Sequence, residues 1–410
     1  MRYSPIFVPA AMVAMWLGAA AEAAPPDQMP GTRIEVRAQD MPAPYDTPSV
    51  SNSPRFQRAP AGNLSLPKGF VSNVFADGLE RARWLEVAPN GDVFLTQSTS
   101  DKVWLLRDAD GDGRAEMKVA FADGFDRPHG MAVRPGFLYV ADIRGLWRVP
   151  YEPGQTEAKG RPERITPESA FGSAGGHWTR NIAFSRDGKR VYVAIGSRGN
   201  VDEEAAPRAT VQEFAADGSG QRTFASGLRN PVGIAFYPGT DDLYVVVNER
   251  DGLGDGLVPD YLTKVQRDGF YGWPYAYIGN HPQPKLAEKR PDLVAKAIVP
   301  DTLFRSHSAP LGLVFYDGDQ FPAEYRGDAF VALHGSWNAA QPQGYAVVRV
   351  PFKDKKPADH YEIFASGFWV GGSDPAIVRG RPVGLAVAKD GSLLIADDYA
   401  SVVWRVRYAP

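Results

Sequence analysis

Cysteine is absent from the 410 residues. That excludes disulfides, thiolate metal centres, iron–sulfur clusters and a thiol nucleophile. An excess of one charge is absent too. The 45 Lys and Arg residues face 48 Asp and Glu, a formal net charge of −3, which excludes the broad basic surface of a nucleic-acid-binding protein. Beyond the N-terminus no segment approaches the roughly 18 consecutive apolar residues of a membrane-spanning helix. No G-x-G-x-x-G opens a helix (Gly252 to Gly256, GLGDG, lacks the spacing), and neither H-E-x-x-H nor G-x-S-x-G occurs. Nicotinamide, zincin and α/β-hydrolase chemistries fall away with those motifs. Turn-forming residues, by contrast, are plentiful: 42 Gly and 35 Pro in a chain that is 44% hydrophobic and 11% aromatic. Punctuation at that density separates short strands, so the expected class is all-β.

Residues 1–23 read as a secretory signal peptide. Met1-Arg2 is a basic start, an apolar run follows from Ile6 to Ala21, and Ala21-Glu22-Ala23 is an A-x-A ending. The alternative, an uncleaved anchor, calls for a longer apolar span. Export fits the lack of thiols and points to a periplasmic location without membrane insertion after cleavage. Residues 24–60, rich in Pro, Ala, Ser and Gln, are expected to form a linker or a loosely draped arm. The catalytic domain is expected over 61–410.

Within it a unit recurs six times: an apolar strand, a turn with Gly, and a second strand rich in aromatic and β-branched residues. The copies begin at Leu85, Met131, Ile182, Ile234, Leu313 and Leu385, and their second strands centre near Phe94, Tyr139, Tyr192, Tyr244, Phe330 and Leu394, about 60 residues apart. Third strands follow at Lys102, Gly145, Tyr345 and Val402. A fourth-strand phrase recurs at Val119 (VAFADGF), Arg222 (RTFASGL) and Tyr361 (YEIFASGF). The same phrase at Asn73 (NVFADGL) precedes the first copy, while the last copy stops after its third strand. The expected architecture is therefore a six-bladed β-propeller of four-stranded blades, its ring closed by the N-terminal strand.

The loop before each first strand should open at the channel mouth. These loops read ARW (Ala82), RPHG (Arg127), GGHWTRN (Gly175), GLRNPVG (Gly227), HSAPLG (His307) and RGRPVG (Arg379). Their His129, His177, His307 and the arginines 127, 180, 229, 379 and 381 would form a cationic pocket with imidazole bases, suited to a ligand bearing several carboxylates. A separate acidic loop, DADGDGRAE, carries Asp108, Asp110, Asp112 and Glu116 at a spacing that fits either a structural calcium or a plain Asp/Gly turn at a blade edge.

From about Leu66 to Arg407 the chain resembles the soluble pyrroloquinoline quinone (PQQ) dependent sugar dehydrogenases, nearest to the aldose and sorbosone dehydrogenase branch related to soluble glucose dehydrogenase. The stretches that carry the resemblance are GGHWTRNIAFSRDGKRVYVAIGSRGN, SGLRNPVGIAFYPGTDDLYVVVNERDGLGD, DGFYGWPYAYIG and RGRPVGLAVAKDG. It implies that His177 is the catalytic base. It places Arg229 and Asn230 at the quinone's ortho-carbonyls and Arg379 and Arg381 on its carboxylates. It assigns the backbone carbonyls of Asp251 and Gly252 to the cofactor's calcium, with a register one residue away, through Arg250, as the alternative. His129 stands where glucose dehydrogenases carry a Gln beside the cofactor. Ser197 follows the Ile-Gly step where they carry an Asp near the base, and His334 and Ser336 occupy the region of their cofactor lysine. The function implied is hydride transfer from an aldose-type sugar or sugar aldehyde to the quinone, with electrons passed on to an acceptor such as a cytochrome c. Two other readings are open: a calcium-dependent propeller lactonase, for which the mouth loops hold few acids, and a non-catalytic binding propeller.

Overall fold

The computed structural model describes residues 26–58 and 62–410; the segment read as a signal peptide lies outside them. Strands dominate, and among the described residues the one α-helix is the single turn Pro291–Val294. No helix among them is long and apolar enough to cross a membrane.

Each sequence repeat folds into a sheet of antiparallel strands; Gly269–Phe270 adds a short parallel strand at the edge of the third. The first sheet runs Ala82–Val87, Val93–Gln97, Lys102–Arg107 and Met117–Ala122 in order. Five more follow, with first strands Met131–Arg134, Arg180–Phe184, Asn230–Phe236, Pro310–Phe315 and Pro382–Val387. The sixth takes its outer strand from the other end of the chain: Phe70–Ala76 pairs with Val402–Tyr408, Asn73 opposite Arg405.

Strands with apolar residues on both faces need cover on both faces. In the first sheet Phe94 points into a cluster shared with Leu138 and Val140 of the second, while Val93 and Leu95 point into one shared with Leu394 and Ala396 of the sixth. The period-two alternation of a strand thus feeds two cores at once. The first strands lie side by side in sequence order, and that of the sixth sheet lies against that of the first.

A short motif sets how closely they approach. Pro-x-Gly recurs at Pro128–Gly130, Pro231–Gly233, Pro310–Gly312 and Pro382–Gly384. A Cβ on Gly130 would meet Asn181 Cα at 2.6 Å, one on Gly233 the Leu311 carbonyl at 2.7 Å, and one on Gly384 the Arg83 carbonyl at 2.6 Å. Three of the middle residues, Val232, Leu311 and Val383, pack together in a cluster of their own.

The segment 26–58 is tied down rather than loosely draped. Arg33–Glu35 adds a fifth strand beside His360–Ala365, Ile34 enters the core, and Asn52 donates to the carbonyls of Ala339, Ala340 and Ser373.

Candidate active site

The polar loops preceding the first strands meet the loops that follow the second strands. His177 is held by the latter. Its Nδ1 lies 2.9 Å from the Ser197 carbonyl and 3.0 Å from Ser197 Oγ, and its backbone N–H donates to the same carbonyl at 3.0 Å. Nε2 has no hydrogen-bond partner among the described residues. Gly196 makes the fit possible, since a Cβ there would lie 2.7 Å from His177 Cβ and collide with Asn230 Oδ1. Burial first, and the Arg229 charge second, pull the His177 imidazole down to about 4, so it is neutral at physiological pH.

Arg229 departs from the expected contact. All of its N–H groups are committed to protein: Nε to the Asn200 carbonyl, Nη1 to the carbonyls of Asn248 and Glu249, and Nη2 to Asn200 Oδ1 and, at 3.5 Å, to Asp251. It clamps two sheets together and acts on His177 through its charge. The neighbouring Asn230 keeps a buried Oδ1 without a partner.

Asp251 is a second correction. Its carbonyl, the expected calcium ligand, accepts from Asn200 Nδ2 at 2.8 Å and from both Nε and Nη2 of Arg250. A guanidinium on that oxygen repels a divalent cation. The Gly252 carbonyl accepts no hydrogen bond among the described residues. Of the expected pair, only one carbonyl is open, so the structure does not fit calcium held by both. The Asp251 carboxylate takes Asn338 Nδ2 at 2.7 Å and lies 3.5 Å from His307 Nδ1. Burial disfavours its ionised form, but His307 and Arg229 outweigh that and hold the carboxyl below its usual range.

Opposite stands a second constellation. Asp398 binds Arg83 at 2.8 Å and His334 Nε2 at 3.1 Å. Burial, with Arg381 beside it, pulls His334 down to about 4, so a neutral ring donates to the carboxylate. Arg381 holds the carbonyls of His334 and Gly335 through Nε and Nη2, and its Nη1 makes no hydrogen bond among the described residues. Arg379, bonded to the carbonyls of Gly367 and Asn63, lines a cleft of about 570 Å³ with Arg81, Asp398 and Tyr399. Trp178, next to His177, joins the two halves: Arg83 lies 5.0 Å over its ring.

His129 is the third correction. It is 0% exposed, packed between Trp84 and Trp178, with neither ring nitrogen hydrogen-bonded. No surface is left for a cofactor. Its place explains why: it is the middle residue of a Pro-x-Gly motif, the position that Val232, Leu311 and Val383 fill with apolar side chains.

The acidic loop does bring Asp108, Asp110, Asp112 and Glu116 together, ligand atoms within 4.8 Å of one another. The carboxylates cap the loop's own N–H groups, as in Gly111 N–H to Asp108 and Ala109 N–H to Glu116. The turn uses both oxygens of Asp108 but only one each of Asp110, Asp112 and Glu116, so the loop fits a structural calcium or a plain turn alike.

Sequence reasoning missed Arg83, Arg208, Asn200, Asn338 and Asp398. Most share one signal: a polar residue soon after a second strand, as in IGSRGN, HGSWN and ADDYA.

The donor set suits a polyanion. Arg381 has nitrogen to spare, and Arg379 lines the adjoining cleft. The chain is similar to several known proteins. A PQQ-dependent pyranose dehydrogenase of Coprinopsis cinerea is 27% identical over 346 residues, 73% of this chain and 45% of that protein's length. The holo form of that enzyme's PQQ domain superposes with a TM-score of 0.71 at 21% identity, covering 87% of this chain and 99% of the domain. A calcium structure of the Trichoderma reesei AA12 enzyme gives 0.69 at 16% identity, with 86% and 98% covered. The PQQ-bound aldose sugar dehydrogenase of Streptomyces coelicolor gives 0.59 at 17% identity, with 83% and 99% covered. At such identities the structural likeness speaks for the fold. The TrAA12-like family model matches residues 64–259 and 294–409, most of the chain. By that match the protein belongs to the TrAA12-like family, whose relatives here are PQQ-dependent pyranose and aldose sugar dehydrogenases.

Proposed function

We propose that this protein is a PQQ-dependent sugar dehydrogenase that oxidises an aldose-type sugar or sugar aldehyde. The six sheets are the blades of one propeller, occupying 61–410, and the site lies at the mouth of its channel. The observation that carries the reading is a neutral His177 with an uncommitted Nε2.

PQQ, when bound, supplies the two-electron acceptor that no side chain of this protein provides. His177 Nε2 accepts the proton of the sugar hydroxyl whose carbon is oxidised. Burial, with the positive charge of Arg229 behind it, keeps that nitrogen unprotonated beforehand. Arg381, through its spare Nη1, and Arg379 bind carboxylates of the cofactor. Asn230 Oδ1 is an acceptor awaiting a donor. No step is assigned to calcium; an ion at this mouth would find the Gly252 carbonyl and the Asp251 carboxylate. Export to the periplasm through the segment ending at Ala23, and delivery of electrons to a cytochrome c, complete the proposal.

Titration calorimetry with PQQ, in calcium-replete buffer and again with a chelator, tests it. Saturable binding that Arg381→Ala weakens at least tenfold, with dye reduction in the presence of aldoses, is expected. A protein that takes up no PQQ in either buffer is not this enzyme. The difference between the two buffers measures the share of the ion.

A further inference from the structure

The proton-accepting form of His177 depends on which ring nitrogen carries the hydrogen, and the surroundings of Nδ1 decide that. Two oxygens lie within hydrogen-bond reach of it, both from Ser197. The carbonyl can only accept. The hydroxyl has one hydrogen, and it goes to the Gly199 carbonyl at 2.7 Å, so toward Nδ1 the hydroxyl also only accepts. An unprotonated Nδ1 would set a lone pair against two others. Nδ1 therefore carries the hydrogen, and Nε2 carries the lone pair.

Ser197 is itself fixed. It is 0% exposed, its N–H donates to the Arg229 carbonyl at 2.7 Å, and its carbonyl receives Arg208 Nη2 at 2.9 Å besides the two His177 donors. Arg208 also reaches the Gly175 carbonyl, and Arg180 Nη1 holds the His177 carbonyl at 2.8 Å. Two buried arginines thus brace the loop that presents the ring. The charges that face the imidazole are Arg229 and Arg208, which oppose its protonation, and Asp251, which favours it by a smaller effect. No carboxylate hydrogen-bonds to it.

We propose, on the footing of His177 as the base, that Ser197 and Arg208 are its positioning residues: Ser197 fixes the Nδ1–H tautomer through its carbonyl and hydroxyl, and Arg208 anchors that carbonyl. This differs from the usual device, a carboxylate behind the imidazole, in its consequence. A carboxylate steadies the imidazolium as the proton arrives and raises the ring's basicity. A neutral oxygen pair fixes the tautomer without that gain, and the guanidinium behind it adds a penalty. The base stays available into acid solution and holds its acquired proton weakly, ready to give it up.

The test does not need turnover. In cofactor-free protein labelled with ¹⁵N-histidine, two-bond proton–nitrogen spectra report the tautomer directly. His177, assigned by its loss in His177→Ala, is expected as neutral Nδ1–H from pH 7 down to about 5. Ser197→Ala keeps the carbonyl and is expected to keep the tautomer. Ser197→Asp sets a carboxylate beside Nδ1 and is expected to move the ring's titration upward by about 1–3 pH units. Arg208→Gln removes the opposing charge and is expected to move it upward by a smaller step. An Nε2–H tautomer in the unmodified protein, or a titration near pH 6.5 that Ser197→Asp leaves in place, overturns the proposal. These outcomes are independent of PQQ uptake, so a correctly poised His177 in a protein that binds no quinone would refute the proposed function and leave this inference standing.

Discussion

His177 and Glu249 show how one solvent-poor loop region moves two side chains in opposite senses. For His177 the charged form is the protonated one, so burial lowers its affinity for protons. As the base it must be deprotonated to work, and kcat/KM is therefore expected to stay flat from neutral pH to about 5 and to fall only as pH approaches 4. Replacing it in His177→Ala is expected to leave PQQ uptake and the melting temperature near wild type while lowering turnover on the order of 10²–10⁴-fold; turnover within a few-fold of wild type with PQQ bound would remove His177 from the role. Glu249 is 4% exposed, one carboxylate oxygen has no partner, and burial raises its carboxyl from 4.5 to about 7. The folded state then binds a proton that the unfolded chain releases above pH 4.5, so the contribution of this group to stability declines as pH rises through 7. Glu249→Gln cannot titrate. Its melting temperature should match wild type near pH 4.5 and exceed it increasingly toward pH 8, as differential scanning fluorimetry across a pH series would show.

At the level of strands, the sequence discloses the sheets because every second strand is a short apolar run rich in aromatic and β-branched residues that follows a turn, and that pattern is local. Phe94, Tyr139, Tyr192, Tyr244, Phe330 and Leu394 all stand in second strands. The site is less legible because its key contacts are to main-chain oxygens. Nothing in the letters NERDG says that Arg250 folds back onto the Asp251 carbonyl, and nothing in IGS says that Ser197 presents both its oxygens to Nδ1. His129 could have been placed from the letters alone, since its Pro-x-Gly context matches that of Val232, Leu311 and Val383. The same motif yields a measurable outcome. Gly384 has no space for a Cβ between the Arg83 carbonyl and, at 2.9 Å, Trp84 Cα, both backbone. Gly384→Ala should destabilise by roughly 1–3 kcal/mol or more, the range for overpacking. Gly160→Ala, whose nearest neighbour would be Pro150 Cγ at 3.8 Å, should leave denaturant midpoints unchanged.

For the molecule as a whole, the seam between Phe70–Ala76 and Val402–Tyr408 makes neighbours of segments from the two ends of the described chain. Synthesis in the natural order leaves that pairing to the end, because its two halves are separated by nearly the whole sequence and closing so long a loop is slow. Yet the contacts themselves do not depend on where the chain is cut. The heaviest contacts between first strands run from each sheet to its two neighbours, so a circular permutant that joins Tyr408 to Phe70 through a short linker and opens at the exposed Gly160 would keep the six sheets beside the same partners. In it the seam becomes a local hairpin and some other junction becomes the distant one. Which pairing closes last is thus a property of the reading frame's starting point rather than of the architecture, and the order of folding can be rewritten while His177 and the residues that brace it keep their places.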